Sequence, residues 1–136
     1  MKIVVCVDDL GGMCFNRRRV SRDRVVLADV SKDLGGGFLY AAEYSRALLS
    51  ECKVPLMVSD DFLDAASAND TCFLEERGLF GYEEKIDAMT VYRWNRRYPS
   101  DLKLDVTPED LGLQLVSTEE LVGYSHERIT KEVYKK

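Results

Sequence analysis

The sequence predicts one α/β domain over residues 1–136, with a mixed, mostly parallel central sheet, flanking helices and a C-terminal antiparallel strand pair. Three observations carry that prediction. As far as Asn95, short apolar runs alternate with segments of helical spacing, the order that builds parallel strands joined by crossover helices. Beyond Asn95 only extended segments and polar connections follow, and such segments pair antiparallel. The 136 residues, 46% of them hydrophobic, suit one core.

The elements follow in order. "KIVVCVDD" is an apolar run stopped by two acids, as in a buried central strand. "LGGM" reads as a loop. Ser21 is placed to cap a helix, with Asp23 in its first turn, where a carboxylate meets the positive end of the helix dipole. "RVVLADVSKDL" continues that helix and "LGGG" ends it. "FLYAA" reads as a second strand, and "EYSRALLSEC" carries Tyr44, Ala47 and Leu48 at helical spacing. Pro55 opens the strand "VPLMVS", a position that tolerates the missing N–H. "DDFLDAAS" is a short helix, "TCFLEE" a strand, "YEEKI" one helical turn, and "AMTVYRWN" a strand rich in β-formers. A polar connection with two prolines then leads to the extended segments "LQLVSTEEL" and "SHERITKEVYKK". In the last, Ile129 and Val133 flank Lys131 on one face, which reads as a half-exposed or edge strand and permits a homodimer.

Composition narrows the function. The formal charge is −5, yet residues 17–24 hold five arginines beside Asp23, a local +4 that leaves −9 for the rest. A net acidic chain repels phosphate backbones, which argues against general nucleic-acid binding. No apolar run reaches the roughly 18–20 residues of a membrane span, and the N-terminus is too soon acidic for a signal peptide. Cys6, Cys14, Cys52 and Cys72 form no CxxC pair and lie in apolar segments, so reduced buried thiols and a cytoplasmic setting are expected. A lone histidine, His126, excludes a multi-histidine zinc centre, and no metal is expected. "LGGG" lacks the Gly-Lys-Ser/Thr of a phosphate loop, and no serine or cysteine stands in a nucleophile motif.

Asp23 is the candidate acid. Arg17, Arg18, Arg19 and Arg22 can form bidentate forks to a phosphate or carboxylate. Arg93, Arg96 and Arg97 surround Trp94, Asn95 and Tyr98, a mixture suited to stacking on a heteroaromatic ring. His126 reads as a solvent-facing strand residue, with a catalytic role in "YSHERIT" as the alternative; on the first reading His126→Ala is expected to change stability by less than about 0.5 kcal/mol.

These segments, in this order, resemble dihydrofolate reductase. "GGMCFNRRRVSRD" is similar to that family's flexible loop, which runs from a glycine through an asparagine to the pterin-binding acid. "GFLYAAEYSRALL" resembles its second strand and following helix, "VYRWNRRYPSDLKLDV" its late strand and connection, and "LQLVSTEEL" with "YSHERITKEVY" its closing strands. The resemblance implies that Asp23 holds a pterin-like ring and assists protonation. It also implies a ligand cleft between the first-helix loop, with Asn16, Arg17, Arg18, Arg19 and Arg22, and the strand carrying Tyr92, Arg93 and Trp94.

The departures point elsewhere. Arg18 and Arg19 lie where the family has a proline and tryptophan. "AAEYSRA" lacks the Gly-Arg-x-Thr phosphate element, and "CFLEERG" puts Glu75 and Glu76 where a Gly-Gly turn admits the pyrophosphate. Side chains there block close approach and carboxylates repel the anion. No cofactor is therefore expected. The favoured reading is a small ligand-binding or protein-interaction module taking an anionic or heteroaromatic ligand, or another protein. The alternative is an NADPH-dependent oxidoreductase with an altered cofactor site.

Overall fold

A computed structural model describes all of residues 1–136. β1 (Lys2–Val7) lies between two parallel neighbours, β6 (Thr71–Leu74) and β7 (Ala88–Arg93). Covered on both faces, it has no polar side to present, which is why its sequence is continuously apolar rather than alternating. Outward from β6 lie β4 (Leu39–Ala41) and β5 (Leu56–Val58), both parallel. On the far side of β7, β10 (Ile129–Lys135) and β9 (Gln114–Leu121) add in antiparallel fashion. The sheet order is β5-β4-β6-β1-β7-β10-β9, the mostly parallel sheet with an antiparallel closing pair that the sequence predicts.

Side chains of β1 alternate between two cores. Ile3, Val5 and Val7 join Phe62, Leu63, Met89 and Val91 on one face. Val4 joins Val26, Leu27, Phe73, Tyr92 and Trp94 on the other, beneath α1 (Arg24–Leu34). The short helices α2 (Arg46–Leu49) and α3 (Phe62–Ala65) complete the packing. No helix is long and apolar enough to cross a membrane.

Three local expectations are corrected. "LGGM" is not simply a loop: Gly12–Phe15 forms β2, which pairs with β3 (Arg18–Arg19) and β8 (Leu102–Lys103) in a small second sheet. The β2–β3 hairpin turns on Asn16 and Arg17, with φ of 51° and 63°, the left-handed pair of a type I′ turn. The cap of α1 is Asp23, not Ser21: Asp23 is extended, its side chain accepts from the Val25 N–H, and the helix ends at left-handed Gly35, φ 56°. Finally, β10 is an interior strand and β9 is the edge. Lys131 misleads because its ammonium is buried, 2.7 Å from both Asp29 and Asp33 of α1.

Candidate functional site

The chain entering α1 and the loop joining β9 to β10 meet at one carboxylate. Asp23, 4% exposed, accepts from the backbone N–H of Val25 and Tyr124 at one oxygen, each at 2.9 Å. Its other oxygen accepts from the Ser125 N–H at 2.9 Å and the Ser125 hydroxyl at 3.2 Å, and lies 2.9 Å from His126 Nδ1. Burial alone would raise this carboxyl's pKa. The hydrogen bonds from His126, Tyr124, Ser125 and Val25 outweigh burial and hold it well below the usual carboxylate range. Gly123 lets the loop close this tightly: a Cβ there would lie 2.6 Å from the His126 carbonyl oxygen and 2.7 Å from an Asp23 oxygen.

His126 is therefore corrected from a solvent-facing strand residue to a buried loop residue, 4% exposed. Its ring stacks on Trp94 with centroids 4.6 Å apart. The ionised Asp23 only accepts, so Nδ1 donates to it, and in the neutral ring Nε2 is the acceptor. Two hydroxyls stand at Nε2: Ser21 Oγ at 2.9 Å and Tyr98 at 3.0 Å. Tyr98 is itself positioned by Asp8, whose buried carboxylate accepts the Tyr98 N–H at 2.9 Å and the Gly12 N–H at 2.6 Å. Burial works to raise the Asp8 pKa, but these bonds and that from Leu10 bring it below its ordinary value.

Beside this network runs a narrow cleft of about 380 Å³ including its mouth. Its interior holds about one water molecule before any side chain moves. Met13, Val26, Leu48 and Phe73 make the apolar wall, and Ser21, Asp23, Arg19, Glu75 and Trp94 contribute the polar groups. The Trp94 indole N–H is buried without a hydrogen-bond partner, an uncommon condition for a buried donor.

Of the expected ligand residues, the structure brings Arg19, Arg22, Asp23 and Trp94 to this cleft. Arg19 donates to both oxygens of Glu75, at 2.7 and 3.0 Å, and stacks over Tyr44. Arg22 pairs with Glu51. Asn16 and Arg17 form the hairpin turn, and exposed Arg18 lines an outer groove with Phe15 and Tyr98. The arginines thus splay apart, each with its own partner or groove. Tyr92 is buried against α1, donating to Asp29 at 2.6 Å, and Arg93 donates to Glu132 of β10 at 2.6 Å. Neither lines the cleft.

Sequence reasoning missed Ser21, Tyr98, Gly123 and His126 as one unit, and Asp8 as its support. Their partners lie 77 to 105 residues apart for the Ser21 and Asp23 contacts, so no local motif announces them. No group of three or more His, Cys, Asp or Glu side chains is placed to hold a metal ion.

The sheet order, the cleft beside its central strands and the closing antiparallel pair define a dihydrofolate reductase-like fold. The likeness is seen in a solved dihydrofolate reductase from Enterococcus faecalis, complexed with NADP(H) and RAB-propyl. Its TM-score is 0.65 at 13% identity, over 98% of this chain and 94% of that one. No family model matches the sequence, and no curated protein matches it.

Proposed function

We propose that this protein is a small-ligand binding module on a dihydrofolate reductase-like scaffold, working without a nicotinamide cofactor. One observation carries the reading: Asp23, the carboxylate that by the resemblance would hold a ring, already has donors from its own chain on both oxygens. A ring N–H would have to displace a buried, charge-assisted bond rather than join a free acceptor. The mutual pairing of Arg19 and Glu75 supports the same conclusion for the cofactor side. What remains open is an apolar cleft lined by Trp94, whose indole N–H is buried without a partner. It suits a small, mainly apolar ligand with a hydrogen-bond acceptor. Arg18, exposed beside the adjoining groove, is the arginine available to an anionic or heteroaromatic end of such a ligand. A protein partner, or a second copy, would pair along the open edge of β9. The four free thiols support a reducing, cytoplasmic setting.

Thermal melting with NADPH and with dihydrofolate tests this reading. A ligand at 100 times its Kd adds about 2.7 kcal/mol, so binding would be plain. The expected result is an unchanged melting temperature at millimolar NADPH. A dose-dependent rise would overturn the reading and favour an oxidoreductase with an altered cofactor site.

A further inference from the structure

We propose that Ser21, His126 and Asp23 form an acyl-transfer relay, and that the cleft cleaves small carboxylic esters at Ser21. The proposal rests on the binding reading above and names the ligand class. Ser21 Oγ lies 2.9 Å from His126 Nε2, and His126 Nδ1 lies 2.9 Å from Asp23 Oδ2. Nucleophile, base and orienting carboxylate are therefore joined in series, the arrangement by which such relays are recognised irrespective of chain order. Ser21 and Asp23 line the cleft, whereas His126 lies behind it, 4% exposed. The base is thus shielded from water, and an ester reaches Ser21 once side-chain movement widens a cleft that holds about one water at rest.

Two further donors suit the same reaction. The Tyr98 hydroxyl lies 3.3 Å from Ser21 Oγ and 3.0 Å from Nε2. The Trp94 N–H, on a residue that lines the cleft, has no partner. A purely structural network has no use for an unsatisfied buried donor, but a developing oxyanion does.

The step balances with water as the only co-reactant. Ser21 Oγ bonds to the ester carbonyl carbon while its proton passes to His126 Nε2, and the carbonyl π pair moves onto oxygen. Asp23 holds the imidazolium formed and acts as a positioning residue. With Nε2 protonated, Tyr98 loses that acceptor and is free to donate to the oxyanion. Collapse breaks the bond to the leaving alcohol, which takes the proton from Nε2. A water then attacks the acyl-serine, giving its proton to Nε2, and Ser21 recovers a proton as the acid leaves.

The test is covalent labelling of the full-length protein with an alkyl fluorophosphonate, followed by peptide mass spectrometry, together with turnover of p-nitrophenyl acetate. The expected result is one phosphonyl adduct on Ser21. Ser21→Ala should hydrolyse the ester at least about 100-fold more slowly, the scale of a general-base contribution, with an unchanged melting curve. Asp23→Asn should lower kcat with little change in KM, which a role confined to packing would not produce. A folded wild-type chain left unlabelled at Ser21, or a Ser21→Ala rate equal to wild type, overturns the proposal and leaves the network structural. The adduct is read on the wild-type chain, so the answer does not depend on a variant folding. An NADPH-induced rise in melting temperature would instead overturn the binding reading, whatever the label shows. An unlabelled Ser21 without that rise overturns the ester proposal alone.

Discussion

Two loops converge on Asp23 and treat their polar side chains in opposite ways. The Asn16–Arg22 loop runs into Asp23 along the chain and spreads its charge. Arg17 and Arg18 are exposed, Arg22 pairs with Glu51, and Arg19 pairs with Glu75. The loop of residues 122–128 arrives from the far end of the chain and turns one histidine inward to 4% exposure. There both ring nitrogens are engaged and the ring is stacked on Trp94. The three solvent-side cations, Arg17, Arg18 and Arg22, contribute little, because water screens them and mobile side chains lose entropy on pairing. One ring removed from water, with each nitrogen matched, contributes more, because its bonds strengthen as the surroundings dry. Convergence and burial, not local charge density, bring this network together.

The sharpest way to break the comparison is to remove the shared carboxylate. Asp23→Ala leaves the N–H donors of Val25, Tyr124 and Ser125 and the His126 Nδ1–H without their acceptor. A loss of about 3 kcal/mol is expected, the upper range for losing a buried hydrogen bond to a charged group, measured by urea unfolding. His126→Ala should cost about 2 kcal/mol, since Asp23 keeps its other donors while the Trp94 stack and one charge-assisted bond are lost. A value under about 0.5 kcal/mol would return His126 to the class of surface residues. On the other loop, Arg17→Gln with Arg18→Gln should change stability by no more than about 0.5 kcal/mol, and a larger loss would show partners for these exposed side chains.

The pH dependence sharpens the same contrast. The folded-state pKa of Asp23 lies well below its ordinary value, and the unfolded carboxyl titrates near about 3.9. Between these two values the unfolded chain binds the extra proton, so stability rises with pH. The contribution is full above the unfolded pKa and is lost as pH falls through the ordinary Asp range toward the folded value. Stability measured by urea unfolding from pH 6 down to pH 3 should fall in wild type and fall less in Asp23→Asn. Equal slopes would remove Asp23 from the account.

Much of the architecture was legible in the sequence because periodicity reports burial directly. The continuous run of β1 marks a strand covered on both sides, and the glycine after Leu34 marks the end of α1. Short elements were less legible. β2 is only four residues long and begins at Gly12, too brief and too glycine-led to show alternation. Lys131 reads as an edge marker until Asp29 and Asp33, about 100 residues earlier, are seen to neutralise it. Asp23 and Ser21 are both good cap residues. The extended backbone of Asp23, φ −155° and ψ 130°, decides between them. His126 lies outside the alternating part of β10, so strand periodicity carried no information about it. Its burial depends on Gly123 admitting close contact with an aspartate 103 residues away.

The central claim is that Asp23 and His126 act as one buried unit. A double-mutant cycle with Asp23→Asn and His126→Gln, read by urea unfolding, tests it most directly, because the cycle isolates the pairwise energy. A buried hydrogen bond to a charged group predicts coupling of about 1.5–3 kcal/mol. Losses that add to within about 0.3 kcal/mol would show two residues that are merely neighbours, and would contradict the account.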